Sequence, residues 1–257
     1  MEGYPLFIQK IYKKTGIDLA SYKERQMKRR IESLIARNHY DSYDDYFNAL
    51  CNDGKLYEEF INYLTINVSE FYRNPQQWEV LEEDVLPTLL KHKKRIKIWS
   101  AACSTGEEPY SLVMLLTKFM SLQDISILAT DIDLGAIAKA KEGIYTAKSI
   151  ENLPKDFVSN YFQLVDGKYH IKDSIKKQVT FQKHNLLEDP YPPDCDLIIC
   201  RNVMIYFTEE TKAKMYHKFY ESLNDHGIFF VGSTEQIILP NRYKLTPTKT
   251  FFYKKMT

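Results

Sequence analysis

A change of pattern near residue 95 constrains the fold more than any other feature of this sequence. Up to residue 90, apolar residues recur at helical spacing and no strand pattern appears. From Arg95 onward, short apolar runs at 96–100, 125–130, 179–182, 196–200, 228–231 and 250–253 alternate with helical stretches at 108–120, 136–141 and 209–223. Such alternation predicts an open, largely parallel α/β sheet. The last run has no helix after it and is expected as an antiparallel edge strand. With 257 residues there is room for one large and one small domain. The expected division is 1–90, a helical domain with its linker, and 91–257, the sheet domain. Between 148 and 178 the alternation stalls. There Asp166-Gly167 separates residues 162–165 from 168–171 as a two-residue hairpin turn, predicting a small β insertion on the sheet.

Within the first half, Leu6, Phe7, Ile11 and Tyr12 are placed on one helical face, and Gly16 is the stop. Ser21 with Glu24 fits a capping box for the next helix. In that helix Met27, Ile31, Leu34 and Ile35 form the apolar stripe, and Arg25, Lys28 and Arg29 point elsewhere. Further helices are expected around 43–50 and 56–64. Asn74-Pro75 opens another, running toward Leu86.

The net charge of +1 argues against a chain basic throughout for nucleic acid, but the charge is uneven. Residues 1–40 hold nine Lys or Arg against four Asp or Glu, so an acidic partner is implied for that end alone. The four cysteines form no CxxC pair, which favours reduced thiols in a reducing compartment. No run approaches the roughly 20 apolar residues needed to span a bilayer. Lys10, Lys13 and Lys14 interrupt any signal-peptide core. The expected location is the cytoplasm, without direct membrane insertion and as a monomer.

The first strand runs into Ser100-Ala101-Ala102-Cys103-Ser104-Thr105-Gly106-Glu107-Glu108-Pro109, small residues and one glycine before a helix. That is a place where a ligand can approach backbone closely. A full GxGxxG pattern is absent, and Glu107 and Glu108 would repel a phosphate. A nucleotide bearing a sulfonium and no phosphate suits an acidic turn better; an ordinary helix cap is the other reading. Asp131 ends the second strand 25 residues beyond Gly106 and can accept both hydroxyls of a ribose, or cap the next helix as Asp133 is expected to do. Asp189-Pro190-Tyr191-Pro192-Pro193 precedes a strand instead of following one and is taken as a turn, and His184 as structural.

Five stretches in order, Asn67-Val68-Ser69-Glu70-Phe71-Tyr72-Arg73, residues 99–110, residues 129–133, His184-Asn185-Leu186-Leu187 and Cys200-Arg201-Asn202-Val203-Met204-Ile205-Tyr206-Phe207, resemble the chemotaxis receptor methyltransferase family, CheR. The resemblance spans nearly the whole chain. It implies an N-terminal all-helical domain, then a Rossmann-like S-adenosylmethionine-dependent methyltransferase sheet with a small β subdomain. The implied reaction methylates glutamate side chains on the cytoplasmic helical region of methyl-accepting chemotaxis receptors, leaving S-adenosyl-L-homocysteine. By matching position, Asn67, Ser69, Arg73, Glu107, Asp131, Asn185, Leu186, Asn202 and Val203 would contact S-adenosyl-L-methionine, with Ser69 where the family often has Thr. Arg73 and Tyr206 match the pair near the transferring methyl. Arg25, Lys28, Arg29 and Arg30 would dock the acidic receptor helix. No metal is implied. Two other readings share the cofactor motifs: a methyltransferase acting on RNA or another protein, and a non-catalytic nucleotide sensor, against which Arg73 and Tyr206 weigh.

Overall fold

A computed structural model describes residues 2–91, 93 and 95–256. The chain forms two compact units, one comprising residues up to Asn67 together with Tyr206–Lys214, the other Val68–Ile205 and the chain from Met215 onward.

The helical unit contains α1 (Tyr4–Thr15), α2 (Glu24–Arg37), α3 (Tyr43–Asn52) and α4 (Gly54–Thr65). Met27, Ile31, Leu34 and Ile35 are its buried stripe on α2, as the periodicity predicts. On α1 the buried residues are Tyr4, Phe7 and Ile11, while Leu6 and Tyr12 are exposed. The face is rotated because Phe7 sits among the rings of Tyr43, Phe47 and Phe60, which select residues three and four apart from it. Gly16 ends α1 in a left-handed conformation. The Ser21–Glu24 capping box does not form. Asp18 competes for the same groups: its carboxylate accepts from the Ala20 amide at 3.0 Å and the Ser21 hydroxyl at 2.7 Å, and α2 starts after Lys23. Residues 206–208 run antiparallel to this corner, with Lys23 N donating to Tyr206 O at 2.9 Å and Thr208 N to Ser21 O at 3.0 Å.

In the sheet unit, α5 (Pro75–Val80) continues through a wide turn, Leu81–Val85, into α6 (Leu86–Leu90). There follow β1 (Ile98–Ala101), α7 (Glu107–Leu116), β2 (Ile127–Asp131), α8 (Leu134–Glu142), β3 (Ile144–Tyr145), α9 (Lys155–Tyr161), β4 (Phe162–Val165), β5 (Lys168–Ile171), α10 (Asp173–Lys176), β6 (Val179–Lys183), β7 (Cys195–Cys200), α11 (Glu209–Ser222), β8 (Leu223–Val231), β9 (Leu245–Lys249) and β10 (Phe252–Lys255). The first six residues of α11 count with the helical unit. The main sheet has the order β6-β2-β1-β7-β8-β10-β9. Its first five strands are parallel, and β10 is antiparallel to both neighbours. Every residue of β1 and β7 is buried, as expected of central strands covered on both faces.

Three expectations need correction. The division falls after Asn67, not after residue 90, because Trp78, Leu81, Val85 and Leu86 pack into the same core as Ile98 and Leu112. The β insertion is a separate sheet of order β3-β5-β4, which begins at Ile144 and includes α9 and α10 between and after its strands. The terminal strand is a hairpin, since Leu245–Lys249 pairs with β10 although four of its five residues are exposed. Pro247 suits that outer edge, where no ladder donor is required. Among the described residues no helix is long and apolar enough to cross a membrane.

Candidate active site

The chain places β2 and β6 on one side of β1 and returns to place β7 and β8 on the other. In open parallel sheets that reversal opens a crevice at the carboxyl ends of the strands, where ligands bind. The loops leaving β1, β2, β6 and β7 on this edge carry most of the residues singled out from the sequence.

After β1 the backbone turns sharply, with Ala102 at φ 64°, Ser104 at φ 47° and Gly106 at φ 92°. Two side-chain-bearing residues in the left-handed region mark stored strain of the kind found at ligand sites. At Gly106 a Cβ would lie 2.9 Å from Ala140 Cβ and 3.2 Å from the Tyr145 hydroxyl, so glycine is required for space as well as for φ. The turn sets Glu107 at the start of α7, only 4% exposed. Glu107 accepts from the Thr105 hydroxyl at 2.6 Å and from the Ser69 hydroxyl. Burial raises its pKa, and these hydrogen bonds oppose the rise.

Asp131, 7% exposed at the end of β2, accepts from Ser104 N at 2.8 Å and Asp133 N at 3.0 Å. Burial nevertheless lifts its pKa to about 6. Asp133 caps α8 through the amides of Gly135 and Ala136. Among the described residues neither Glu107 nor Asp131 has an ion-pair partner. Two buried carboxylates without an ion-pair partner among the described residues, one at the start of α7 and one at the end of β2, fit a ligand that offers hydroxyls, an ammonium and a sulfonium, and they oppose a phosphate.

After β6, Asn185 O δ1 accepts from Leu187 N at 3.0 Å, and Leu186 is buried. His184 packs against Trp99 and Tyr191, its Nε2 is 3.2 Å from Pro190 O, and burial lowers its pKa. After β7 comes Arg201, a buried side chain to which the sequence alone assigns no role. Its Nη2 donates to Arg73 O at 2.7 Å and Gln77 Oε1 at 2.7 Å, and its Nη1 is 3.7 Å from Glu108 Oε2. Glu108 also accepts from Ser100 Oγ at 2.8 Å. Arg201 therefore holds the backbone of Arg73 against the strand ends, with Tyr72 at φ 51° and Asn74 at φ 60° on either side. The Arg73 guanidinium itself donates to Val68 O at 3.0 Å.

Ser69, Arg73, Glu107, Asp131, Asn185, Leu186, Asn202 and Val203 all belong to the sheet unit. Asn67 closes the helical unit, its Nδ2 3.0 Å from Thr65 Oγ1, and Tyr206 belongs to that unit too. Of the four residues expected to dock a partner, Arg25 and Arg29 are exposed one turn apart on α2. Lys28 reaches over the Tyr4 ring. Arg30 is turned inward: its Nη2 donates to Tyr63 O at 2.6 Å and its guanidinium lies 4.5 Å from the centre of the Tyr63 ring. It ties α2 to α4 instead of facing a partner. Cys103, Cys195 and Cys200 are buried and free. Among the described residues no cluster of His, Cys, Asp or Glu could hold a metal.

A cavity of about 520 Å³ opens at the opposite edge, by the amino ends of β7 and β8, lined by Asp84, Lys93, Asp196, His226 and Lys249 among others. Lys93 pairs with Asp196 and Lys249 with Asp84 within it, and none of the site residues lines it.

Residues 67–252 match the family described as CheR methyltransferase, SAM binding domain, and residues 2–65 match CheR methyltransferase, all-alpha domain. The chain is 42% identical over 255 residues to a chemotaxis protein methyltransferase of Listeria monocytogenes, covering 99% of this chain and 97% of that one. It is 35% identical over 259 residues to one of Borreliella burgdorferi, covering 92% of each. Chemotaxis protein methyltransferase 2 of Vibrio cholerae is 37% identical over 237 residues, 88% of this chain and 82% of its own. A helical unit followed by a parallel-sheet unit agrees with the all-alpha and SAM-binding domains these matches name, and the chain belongs to the CheR methyltransferase family.

Proposed function

We propose that this protein is a protein-glutamate O-methyltransferase of chemotaxis, working in the cytoplasm on the helical cytoplasmic region of methyl-accepting receptors and forming glutamyl methyl esters. The observation that carries the reading is full-length likeness to chemotaxis protein methyltransferases combined with two buried, unpaired acids at the cofactor crevice. S-adenosylmethionine supplies an electrophilic methyl on a sulfonium. Asp131 would hold its ribose hydroxyls and Glu107 its ammonium, with Asn67, Ser69, Asn185, Leu186, Asn202 and Val203 completing the contacts.

A glutamate side chain with an ordinary pKa of about 4.3 is ionised at neutral pH, so its oxygen can take the methyl without a general base. No proton moves, and the transfer neutralises an anion against a cation. What the protein must do is hold the acceptor in line and exclude water. Arg73 orients the acceptor carboxylate, and the Tyr206 hydroxyl fixes the approach. An over-strong Arg73 pairing would stabilise the ground state, so its contribution is orientation. Arg25 and Arg29, with Lys28 beside them, dock the acidic receptor helix.

Incubation with methyl-labelled S-adenosylmethionine and receptor cytoplasmic fragments tests the reading. Base-labile label on glutamate is the expected result; label on RNA, or bound cofactor with no transfer, overturns it. Arg25→Glu with Arg29→Glu should lower receptor methylation and flatten its salt dependence while leaving cofactor affinity unchanged.

A further inference from the structure

Glu235 lies four residues beyond β8, in Gly232-Ser233-Thr234-Glu235, outside every stretch that the family resemblance rests on. It is only 5% exposed, and its carboxylate points back at the neighbouring loop after β7. Oε2 accepts from Asn202 N at 2.6 Å and from Gly232 N at 2.9 Å. Oε1 accepts from Ile205 N at 3.1 Å, and the amide of Met204 contributes as well. Four backbone donors on one buried carboxylate leave none of them orphaned, and hydrogen bonds to an ionised acceptor are the strong kind. The fit is close on both sides. A Cβ on Gly232 would collide with the Glu235 carboxylate and come within 2.8 Å of Asn202 N. Asn202 itself is held at φ 60°, a conformation that needs outside support.

We propose that Glu235 is a positioning residue for methyl transfer: by gathering the amides of Asn202, Met204 and Ile205 it fixes the loop that brings Asn202 and Val203 to the cofactor. This rests on the methyltransferase reading above. Tyr206 follows Ile205 directly in the chain, so the same anchor sets where that residue begins. Glu235 touches no reacting atom and acts through the loop alone.

Glu235→Gln keeps the shape but turns one acceptor oxygen into an N–H₂ group. Either orientation of the amide sets that group against a backbone donor. In full-length protein with a cooperative melt, S-adenosylhomocysteine affinity should fall at least tenfold. The single-turnover rate at saturating S-adenosylmethionine should fall at least tenfold with the acceptor KM unchanged. Hydrogen exchange should quicken at the amides of residues 202–205, and Glu235→Asp, which restores the charge, should recover part of the affinity. If Glu235→Gln does not fold, Gly232→Ala presses on the same contact from the other side and should give the same losses. S-adenosylhomocysteine affinity and rate within twofold of wild type in a folded variant overturn the proposal. The binding measurement needs no acceptor, so it decides the role of Glu235 even if wild-type protein fails to methylate receptor fragments, an outcome that would sink the acceptor alone.

Discussion

Two loops leave neighbouring parallel strands at the candidate site, and they are held in different ways. The loop after β1 is fixed mostly by groups next to it: Gly106 N bonds Cys103 O at 3.0 Å, and Thr105 bonds Glu107. The adjacent strand and one remote side chain supply the rest, with Cys103 N reaching Thr130 O at 2.9 Å, Ser104 N reaching Asp131, and the Tyr145 hydroxyl donating to Thr105 O at 2.9 Å. The loop after β7 has almost no local support. Its amides are bonded by Glu235, and Arg201 at its start is bonded to Arg73, Gln77 and Glu108 from segments far away in the chain. A loop built locally announces itself through glycine and small residues. A loop built by remote charges can be recognised only when the strands are laid side by side.

The largest expected effect breaks the first loop. Gly106→Ala places a methyl 2.9 Å from Ala140 Cβ at φ 92°, so left-handed strain adds to overpacking. The fold should lose about 2–5 kcal/mol, read from urea denaturation. An unchanged midpoint would show that the loop relaxes more freely than its contacts imply. Next comes Asp131→Ala, which removes the acceptor while leaving the glycine turn. Cofactor affinity should weaken by about 1.5–3 kcal/mol, the range for a charged hydrogen bond, in calorimetry on folded protein. Unchanged affinity would remove Asp131 from the site.

The same contrast explains what was legible in the sequence. The parallel sheet, the hairpin at Asp166-Gly167, the α2 stripe and the acid at the end of β2 follow periodicity and spacing, so they could be placed without neighbours. The boundary at Asn67 could not, because the helix from Pro75 looks like those before it and only its burial with Ile98 shows where it belongs. Strand β9 was hidden because an exposed edge needs no apolar alternation. The inward turn of Arg30 depends on a carbonyl and ring 33 residues away. Glu235 did leave a faint signal, small residues and an acid just after a strand, the same composition that marks the first loop.

Tyr206 sharpens the comparison at the far end of the second loop, where its carbonyl accepts from Lys23 N. An ionised acceptor needs no base, so its hydroxyl should act through geometry, and misplacement alone can cost on the order of a hundredfold. Tyr206→Phe should slow turnover by roughly ten- to a hundredfold with cofactor affinity little changed. The rate should acquire no new pH dependence between about 7 and 9. Single-turnover kinetics across that range distinguishes the two roles, because a newly titrating rate would mean that a base had been lost.

The smallest effect is a titration of the first loop. Burial lifts Asp131 from 3.8 to about 6, the charge of Asp133 adds to the rise, and the amides of Asp133 and Ser104 oppose it. The folded pKa lies above the unfolded one, so between about pH 4 and 6 the folded chain keeps a proton that the unfolded chain has lost. The contribution of Asp131 to the stability of the cofactor-free protein should therefore be fully present below about pH 4, decline through pH 6 and then level off. Cofactor affinity should run the other way, because the ionised carboxylate is the better acceptor for ribose hydroxyls. Affinity should be near full above about pH 7 and up to about tenfold weaker at pH 5. Burial raises Glu107 as well, so the deciding comparison is wild type against Asp131→Asn. Calorimetry with S-adenosylhomocysteine from pH 5 to 8 should show a slope in the first and a flatter line in the second. Parallel profiles would place the titrating group elsewhere and leave Asp131 a support for the Ser104 turn, with no direct part in binding.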